Sequence, residues 1–311
     1  MQFDFIKYRR IPYIFSAGLV GACLVLIAVL GLKWSIDFTG GSVLSLEYES
    51  QVPSTQEIQR VISDMGLSPV IVQKETDKKV ILKLPYINEQ THQQILSRLQ
   101  ETAKIQTGSE QKIQTGSEQF ETIGPVIGKE LKSKIKVVVV LSLLAILVYI
   151  IIAFGRVSFP VKSSIYGLMG TIALFHDVTI PLGIWALLGK YAGYEVSIPV
   201  ITALLTVFGY SINDTVVVFD RIRENLIKNR GEDFGVIVNK SLNDTLVRSV
   251  NTSLTVLIVL LFLFFLGGST LKPFSLTLII GIGFGTYSSI FLASPLVYSF
   301  YKIKNRKNNK K

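Results

Sequence analysis

Val137 to Phe154 read VVVVLSLLAILVYIIIAF, a run without a single charged residue. A helix needs roughly 20 mostly apolar residues to cross the hydrocarbon core of a bilayer, so this run is long enough to span once some flanking sequence is added. Working outward, five more stretches qualify, at about 12–32, 165–188, 197–219, 249–267 and 274–300. Hydrophobic residues make up 49% of the 311-residue chain and charged residues only 17%, below the quarter usual in soluble domains. In lipid a backbone must pair its polar groups internally, so each run is expected to be a helix. The expected fold is a membrane all-α six-helix bundle, with the 33–136 segment inserted between its first two spans.

The basic residues orient this arrangement. They gather at Lys7, Arg9 and Arg10, at Arg156 and Lys162, between Arg221 and Arg248, and in the tail from Lys302 to Lys311. With six spans, these four places fall on one side, and loops rich in lysine and arginine stay in the cytoplasm. The short opposite segments, 189–196 and 267–273, carry only Lys190 and Lys272. The lysines of 33–136 do not disturb the assignment, because long translocated segments do not obey the charge rule. Both termini are therefore expected in the cytoplasm and the insertion in the periplasm of a bacterial inner membrane. The net charge of +10 reflects this topology and an anionic lipid leaflet, so no nucleic-acid partner is expected.

The expected organisation is a cytoplasmic N-terminus at 1–11, a first span at 12–34, a periplasmic domain at 35–124, a juxtamembrane segment at 125–136, five further spans within 137–300 and a basic tail at 301–311. The apolar run 11–32 is too long for a signal-peptide core and ends at Lys33-Trp34 without a small-residue cleavage site. Val20-Gly21-Ala22-Cys23 approaches a lipoprotein processing site, but apolar residues and glycines follow Cys23, which reads instead as a thiol buried in a helix. One cysteine allows neither an internal disulfide nor a cysteine metal cluster.

Within the insertion, Ser42–Glu49 alternates Val43, Ser45 and Glu47 against Leu44, Leu46 and Tyr48, the period of a half-buried strand. Ser54-Thr55-Gln56-Glu57 offers a capping box, followed by Ile58, Val61, Ile62 and Met65 at helical spacing. Pro69–Glu75 and Lys79–Leu84 read as strands around a polar turn, Asn88 as the cap of a second helix through Ile95 and Leu99, and Ile113–Ile123 as holding a last strand. The order βαββαβ predicts an α+β ferredoxin-like domain. Lys104–Gln111, KIQTGSEQ, recurs unchanged at Lys112–Gln119. Two short copies make no repeat architecture, and we read them as a local duplication lengthening a loop or strand edge.

Ionisable residues inside spans are rare and mark ion or substrate paths. His176 and Asp177 interrupt the third span, and Asn213, Asp214 and Asp220 lie in the inner half of the fourth. Arg248 opens the fifth, followed a turn later by Asn251, Thr252, Ser253 and Thr255. Asp214 precedes Thr215 and then Val216, Val217, Val218 and Phe219, surroundings too apolar for a carboxylate in the cytosol. Low dielectric opposes a carboxylate's charge and a nearby cation favours it, a balance that suits reversible proton loading. Arg248 is the expected partner of Asp214, because a single connection joins spans four and five. A purely structural role remains open: Arg248 snorkels to the interface and Asp214 hydrogen-bonds neighbouring helices.

In the last span, Thr277, Gly281, Gly285, Ser289 and Ala293 recur every four residues, a small-residue face for tight helix packing or a subunit interface. The chain has no GxxxxGK[ST], HExxH or GxSxG sequence, and with only His92 and His176 a histidine-rich metal site is not expected. No catalytic residue, cofactor or metal is therefore expected.

Six stretches stand out in order along the chain: Asp37-Phe38-Thr39-Gly40-Gly41, Ile123–Leu131 (IGPVIGKEL), Phe175-His176-Asp177-Val178, Tyr210–Asn225 (YSINDTVVVFDRIREN), Arg248 with Asn251–Thr255, and Gly285-Thr286-Tyr287-Ser288-Ser289. Together they resemble the SecF family, whose members partner SecD in bacterial Sec protein export and fall within the RND superfamily. The resemblance implies an RND-type half that pairs with a SecD-like subunit, associates with the SecYEG channel and uses the proton gradient to aid late steps in the export of a translocating polypeptide. It places the family's intramembrane aspartate and following arginine at Asp214 and Arg248, with Asn213, His176, Asp177, Asn251 and Thr252 in weaker supporting roles. A half-size small-molecule efflux subunit and a non-transporting scaffold are the alternatives. An efflux subunit would share the fold and proton path, whereas a scaffold would have no need of Asp214.

Overall fold

The computed structural model of the protein describes residues 3–49, 52–107, 113, 118–154, 160–229, 231–268 and 270–308. In chain order the elements begin with α1 (Phe5–Tyr8), α2 (Arg10–Leu30), α3 (Ile36–Thr39), β1 (Gly41–Glu47) and α4 (Thr55–Asp64). Next come β2 (Ile71–Lys74), β3 (Lys79–Leu84), α5 (Glu89–Thr107), β4 (Gln119–Ile123) and α6 (Pro125–Ala153). The remainder is α7 (Ser163–Tyr191), α8 (Ile198–Lys228), α9 (Phe234–Leu266), α10 (Leu271–Ser288), a π-helical turn (Ser289–Ala293) and α11 (Ser294–Asn308). Two compact units result, one of residues 34–136 and the other of 1–33 with 137–311.

The 34–136 unit is a four-stranded sheet in the order β2-β3-β1-β4, every neighbouring pair antiparallel. With α4 and α5 this is the ferredoxin-like βαββαβ arrangement. Leu44, Leu46 and Tyr48 alternate inward and are fully buried, Leu44 opposite Leu82 and Leu46 opposite Val80. Ile58 and Ile62 of α4 and Ile95 and Leu99 of α5 close the core. The expected capping box is present: Glu57 N–H donates to Ser54 Oγ and Ser54 N–H to Glu57 Oε2. Asn88 Oδ1 likewise accepts from Thr91 N–H at 2.9 Å. β2 is shorter than expected, because Glu75 and Thr76 already turn their N–H groups onto Lys79 O. The duplicated KIQTGSEQ falls mainly on 108–112 and 114–117, outside the described residues.

Two glycine-bearing stretches in this unit meet backbone to backbone. Gly40 has φ +74°, and a Cβ there would lie 2.6 Å from Pro125 Cα. A Cβ on Gly128 would lie 2.9 Å from Gly40 N and 3.2 Å from the Phe38 carbonyl carbon. The DFTGG stretch and the start of α6 are thus glycine-rich because their backbones touch.

In the other unit, six helices are long and apolar enough to cross a membrane, the last formed by α10, the π turn and part of α11. Burial separates them into two classes. Some 56% of the apolar window is buried in α7, α8 and the last span, against 11% in α2, 6% in α6 and 17% in α9. Three helices therefore form the centre and three lie outside it, as a bundle facing lipid requires. The small-residue stripe makes the close approaches of the centre: a Cβ on Gly281 would lie 2.2 Å from Val207 Cγ2, and one on Gly285 3.2 Å from Ser211 Cβ. Trp185 Nε1 donates to Thr277 Oγ1 at 2.9 Å, and Ala293 is fully buried. Cys23 is buried in α2, where a Cβ on Gly183 would lie 2.4 Å from its Cβ.

Beyond the apolar stretch, α9 starts at Phe234, capped by Asp233, whose Oδ1 accepts from Gly235 N–H at 2.8 Å. Arg248, at the start of the apolar run, thus sits well inside a longer helix. The polar ends of α8 and α9 are joined by Arg221, which pairs with Asp244 at 2.8 Å and Glu224 at 2.7 Å. Asp220 pairs with Arg223 instead. Asn225 Nδ2 reaches Ser241 Oγ at 2.9 Å.

Candidate polar site in the membrane bundle

Four helices each bring polar groups to the centre of the bundle. α7 contributes His176 and Asp177, α8 contributes Ser211 and Asp214, α9 contributes Ser249 and Ser253, and the last span contributes Thr286, Ser288 and Ser289. Asp177 is fully buried and Asp214 is 7% exposed. A carboxylate so far from water is costly unless its oxygens are hydrogen-bonded, and both have partners.

Asp214 accepts from Ser249 Oγ on one oxygen, at 2.6 Å, and from Ser289 Oγ on the other. Asp177 accepts on one oxygen from Ser211 Oγ at 2.5 Å and Ser288 Oγ at 2.7 Å. Its other oxygen is 2.8 Å from His176 Nδ1. The His176 ring lies beside Tyr287 and Phe284, with centroids at 6.0 and 6.1 Å. Its Nε2 is buried without a hydrogen-bond partner among the described residues. Ser253 Oγ and Thr286 Oγ1 are 2.5 Å apart, and Tyr210 OH donates to Ser253 at 3.3 Å. The π turn starts at Ser289, the residue that holds Asp214. Such single turns concentrate at functional sites because they re-aim side chains.

The structure brings Asp214, Asp177, His176, Ser253 and Ser289 into this cluster and leaves Arg248, Asn213, Asn251 and Thr252 outside it. Arg248 is exposed, and its guanidinium makes no hydrogen bond or ion pair among the described residues. The expected Asp214–Arg248 pair is thus replaced by Ser249, one residue on: successive helix residues point about 100° apart, so an inward Ser249 turns Arg248 away. Asn251 and Thr252 are also exposed, and Thr252 Oγ1 bonds back to Arg248 O at 2.9 Å. With Thr255 these residues form an outward polar stripe on α9, and Asn213 is exposed on α8. Ser289 supplies a hydroxyl as well as packing, so the small-residue face carries chemistry too. The sequence marks Ser211 and Ser288 only as members of the stretches Tyr210–Asn225 and Gly285–Ser289, with no role of their own, and does not mark Ser249, although Ser211 lies one turn before Asp214 and Ser249 directly follows Arg248.

Six apolar helices, a buried carboxylate pair in their midst and an inserted ferredoxin-like domain define a multi-pass membrane protein built as an RND-like half. The SecD/SecF C-terminal protein export membrane protein model matches residues 102–303, and the SecD/SecF GG motif matches 25–52. The chain belongs to the SecD/SecF family. It is 39% identical over 307 residues to the protein translocase subunit SecF of Thermobaculum terrenum, covering 96% of this chain and 93% of that one. It is 37% identical to the SecF subunit of Haemophilus influenzae, over 95% of this chain and 85% of the relative. The crystal structure of SecDF from Thermus thermophilus, a translocon-associated membrane protein, superposes with a TM-score of 0.78 at 34% identity. That match takes in 97% of this chain but 39% of the SecDF chain, so this protein spans about two-fifths of the longer molecule.

Proposed function

We propose that this chain is a SecF-type, non-enzymatic subunit of the Sec protein-export machinery. In this reading it works in a bacterial inner membrane with a SecD-like partner and the SecYEG channel, and uses the proton motive force to promote late translocation of polypeptides. The observation that carries the proton role is Asp214: a buried carboxylate held, among the described residues, by hydroxyls from two other spans. Each elementary charge crossing about 100 mV supplies about 2.3 kcal/mol, enough to bias a conformational cycle if its protonation changes helix contacts. Ser249 and Ser289 can donate to an ionised Asp214 or accept from a protonated one, so they suit both states. The same match that covers two-fifths of a SecDF chain supports a separate partner supplying the rest. Arg248, Asn251, Thr252 and Asn213, exposed on α8 and α9, are then the polar groups facing that partner half, where Arg248 would meet the proton path from outside the chain's own bundle. Both termini are cytoplasmic in this reading, and the 34–136 unit faces the periplasm. The test is complementation of a strain lacking the protein with Asp214→Asn. We expect stable assembly, with exported proteins accumulating as unprocessed precursors; normal processing would refute the proton role.

A further inference from the structure

We propose that a cleft between the N-terminal segment and the last span binds an anionic phospholipid, with an acyl chain along its aromatic wall and the phosphate at Lys7 and Arg10. The cleft has a volume of about 320 Å³ and is lined by Phe3, Phe5, Tyr8, Ile11, Pro12 and Phe291. Phe3 and Phe5 meet edge to face at 4.8 Å, Phe5 meets Phe291 at 5.5 Å, and Phe291 stacks on Tyr287 at 5.2 Å. This is a concave aromatic wall.

The N-terminal segment is fixed in place. Asn243 accepts from Phe3 N–H and donates to Phe3 O, both at 2.9 Å, and Asn239 Oδ1 accepts from Phe5 N–H at 2.8 Å. Two asparagines one turn apart on α9 thus read the backbone of the first residues and hold the wall against it. The charges complement a phosphate. Lys7 Nζ lies 5.6 Å from the centroid of the Tyr8 ring at the cleft rim, and Arg10, the first residue of α2, is exposed. Neither pairs with a carboxylate among the described residues. Lys7 also borders a second cavity with Asp4, Glu232 and Asp233; Asp4 Oδ1 accepts from Lys7 N–H at 3.0 Å as the cap of α1, and Arg9 is committed to Ile6 O and the Tyr298 ring. Arg10 opens a span, so the cations sit where headgroups meet acyl chains. A bound lipid would pin α2 to the last span beside Tyr287, the neighbour of Ser288. This inference stands independently of the proton role.

The test is native mass spectrometry of the full chain extracted with an equimolar mixture of phosphatidylglycerol and phosphatidylcholine. We expect preferential retention of phosphatidylglycerol, with the preference falling on the order of five-fold for each cation removed in Lys7→Gln and Arg10→Gln. Tyr8→Ala at the exposed rim should weaken retention of both lipids. Lys302→Gln with Lys304→Gln, in the basic tail, should change nothing. Equal retention of the two lipids, an unchanged preference in the Lys7 and Arg10 variants, or an equal loss in the tail variant would overturn the proposal. So would a photocrosslink from position 3 to a polypeptide instead of to lipid.

Discussion

Ser288 and Ser289 are consecutive residues of the last span, yet they hold different carboxylates: Ser288 Oγ donates to Asp177 of α7 and Ser289 Oγ to Asp214 of α8. The π turn that begins at Ser289 lets both hydroxyls point into the bundle. A change in the protonation of one aspartate therefore acts on a serine directly adjacent in the chain to one that positions the other. The last span is the element through which the two carboxylates feel each other.

This arrangement predicts that Ser288→Ala and Ser289→Ala each weaken the bundle by about 1–3 kcal/mol, the cost of leaving a buried acceptor without its donor. Because Asp177 keeps Ser211 and His176, Ser288→Ala should be the milder of the two. Thermal unfolding in detergent measures the difference. An Asp177→Asn, Ser288→Ala double variant should lose less than the sum of its single variants, since both act on one hydrogen bond.

Packing predicts a sharp contrast along α10. Gly281→Ala places a methyl group 2.2 Å from Val207 and should destabilise by about 1–3 kcal/mol through overpacking. Gly283→Ala meets nothing within 4 Å and should be neutral or slightly stabilising. Restoring space with Val207→Ala should recover much of the Gly281→Ala loss in the same unfolding assay.

The 34–136 unit carries a predicted alkaline sensitivity. Burial pushes the Tyr48 phenol up from 10.0 to about 12, and its hydroxyl has no hydrogen-bond partner among the described residues. The folded state holds this proton more tightly than the unfolded state, so Tyr48's contribution is complete below pH 10 and is lost as pH rises towards 12. About 2–3 kcal/mol should disappear over that window. Tyr48→Phe should flatten the fall and leave stability near neutral pH unchanged or slightly higher, as denaturant titrations at several pH values will report.

Much of this fold was legible in the sequence because its strongest signals are local. Charge-free length revealed the spans, and the alternation of Leu44, Leu46 and Tyr48 with the Ser54–Glu57 box revealed the start of the inserted domain. The carboxylates were legible too, since acidic residues stand out in apolar runs. Their partners were not. Serine and threonine in membrane helices commonly bond their own preceding turn, as Ser253 does to Ser249 O at 2.9 Å, so no local pattern separates them from Ser249 or Ser288. Arg248 looked like the partner of Asp214 because their spans are adjacent, but helical phase turned Ser249 inward in its place. The π turn, which decides where Ser289 points, has no counterpart in the small-residue stripe.

Whether Asp214 couples a proton gradient to export, as proposed, is measured most directly by translocation into inverted membrane vesicles with and without an imposed gradient. Vesicles carrying wild-type protein should complete translocation faster when the gradient is present. Vesicles carrying Asp214→Asn should run at the gradient-free rate under both conditions, with the variant present at wild-type levels. An undiminished response to the gradient in Asp214→Asn vesicles would contradict it.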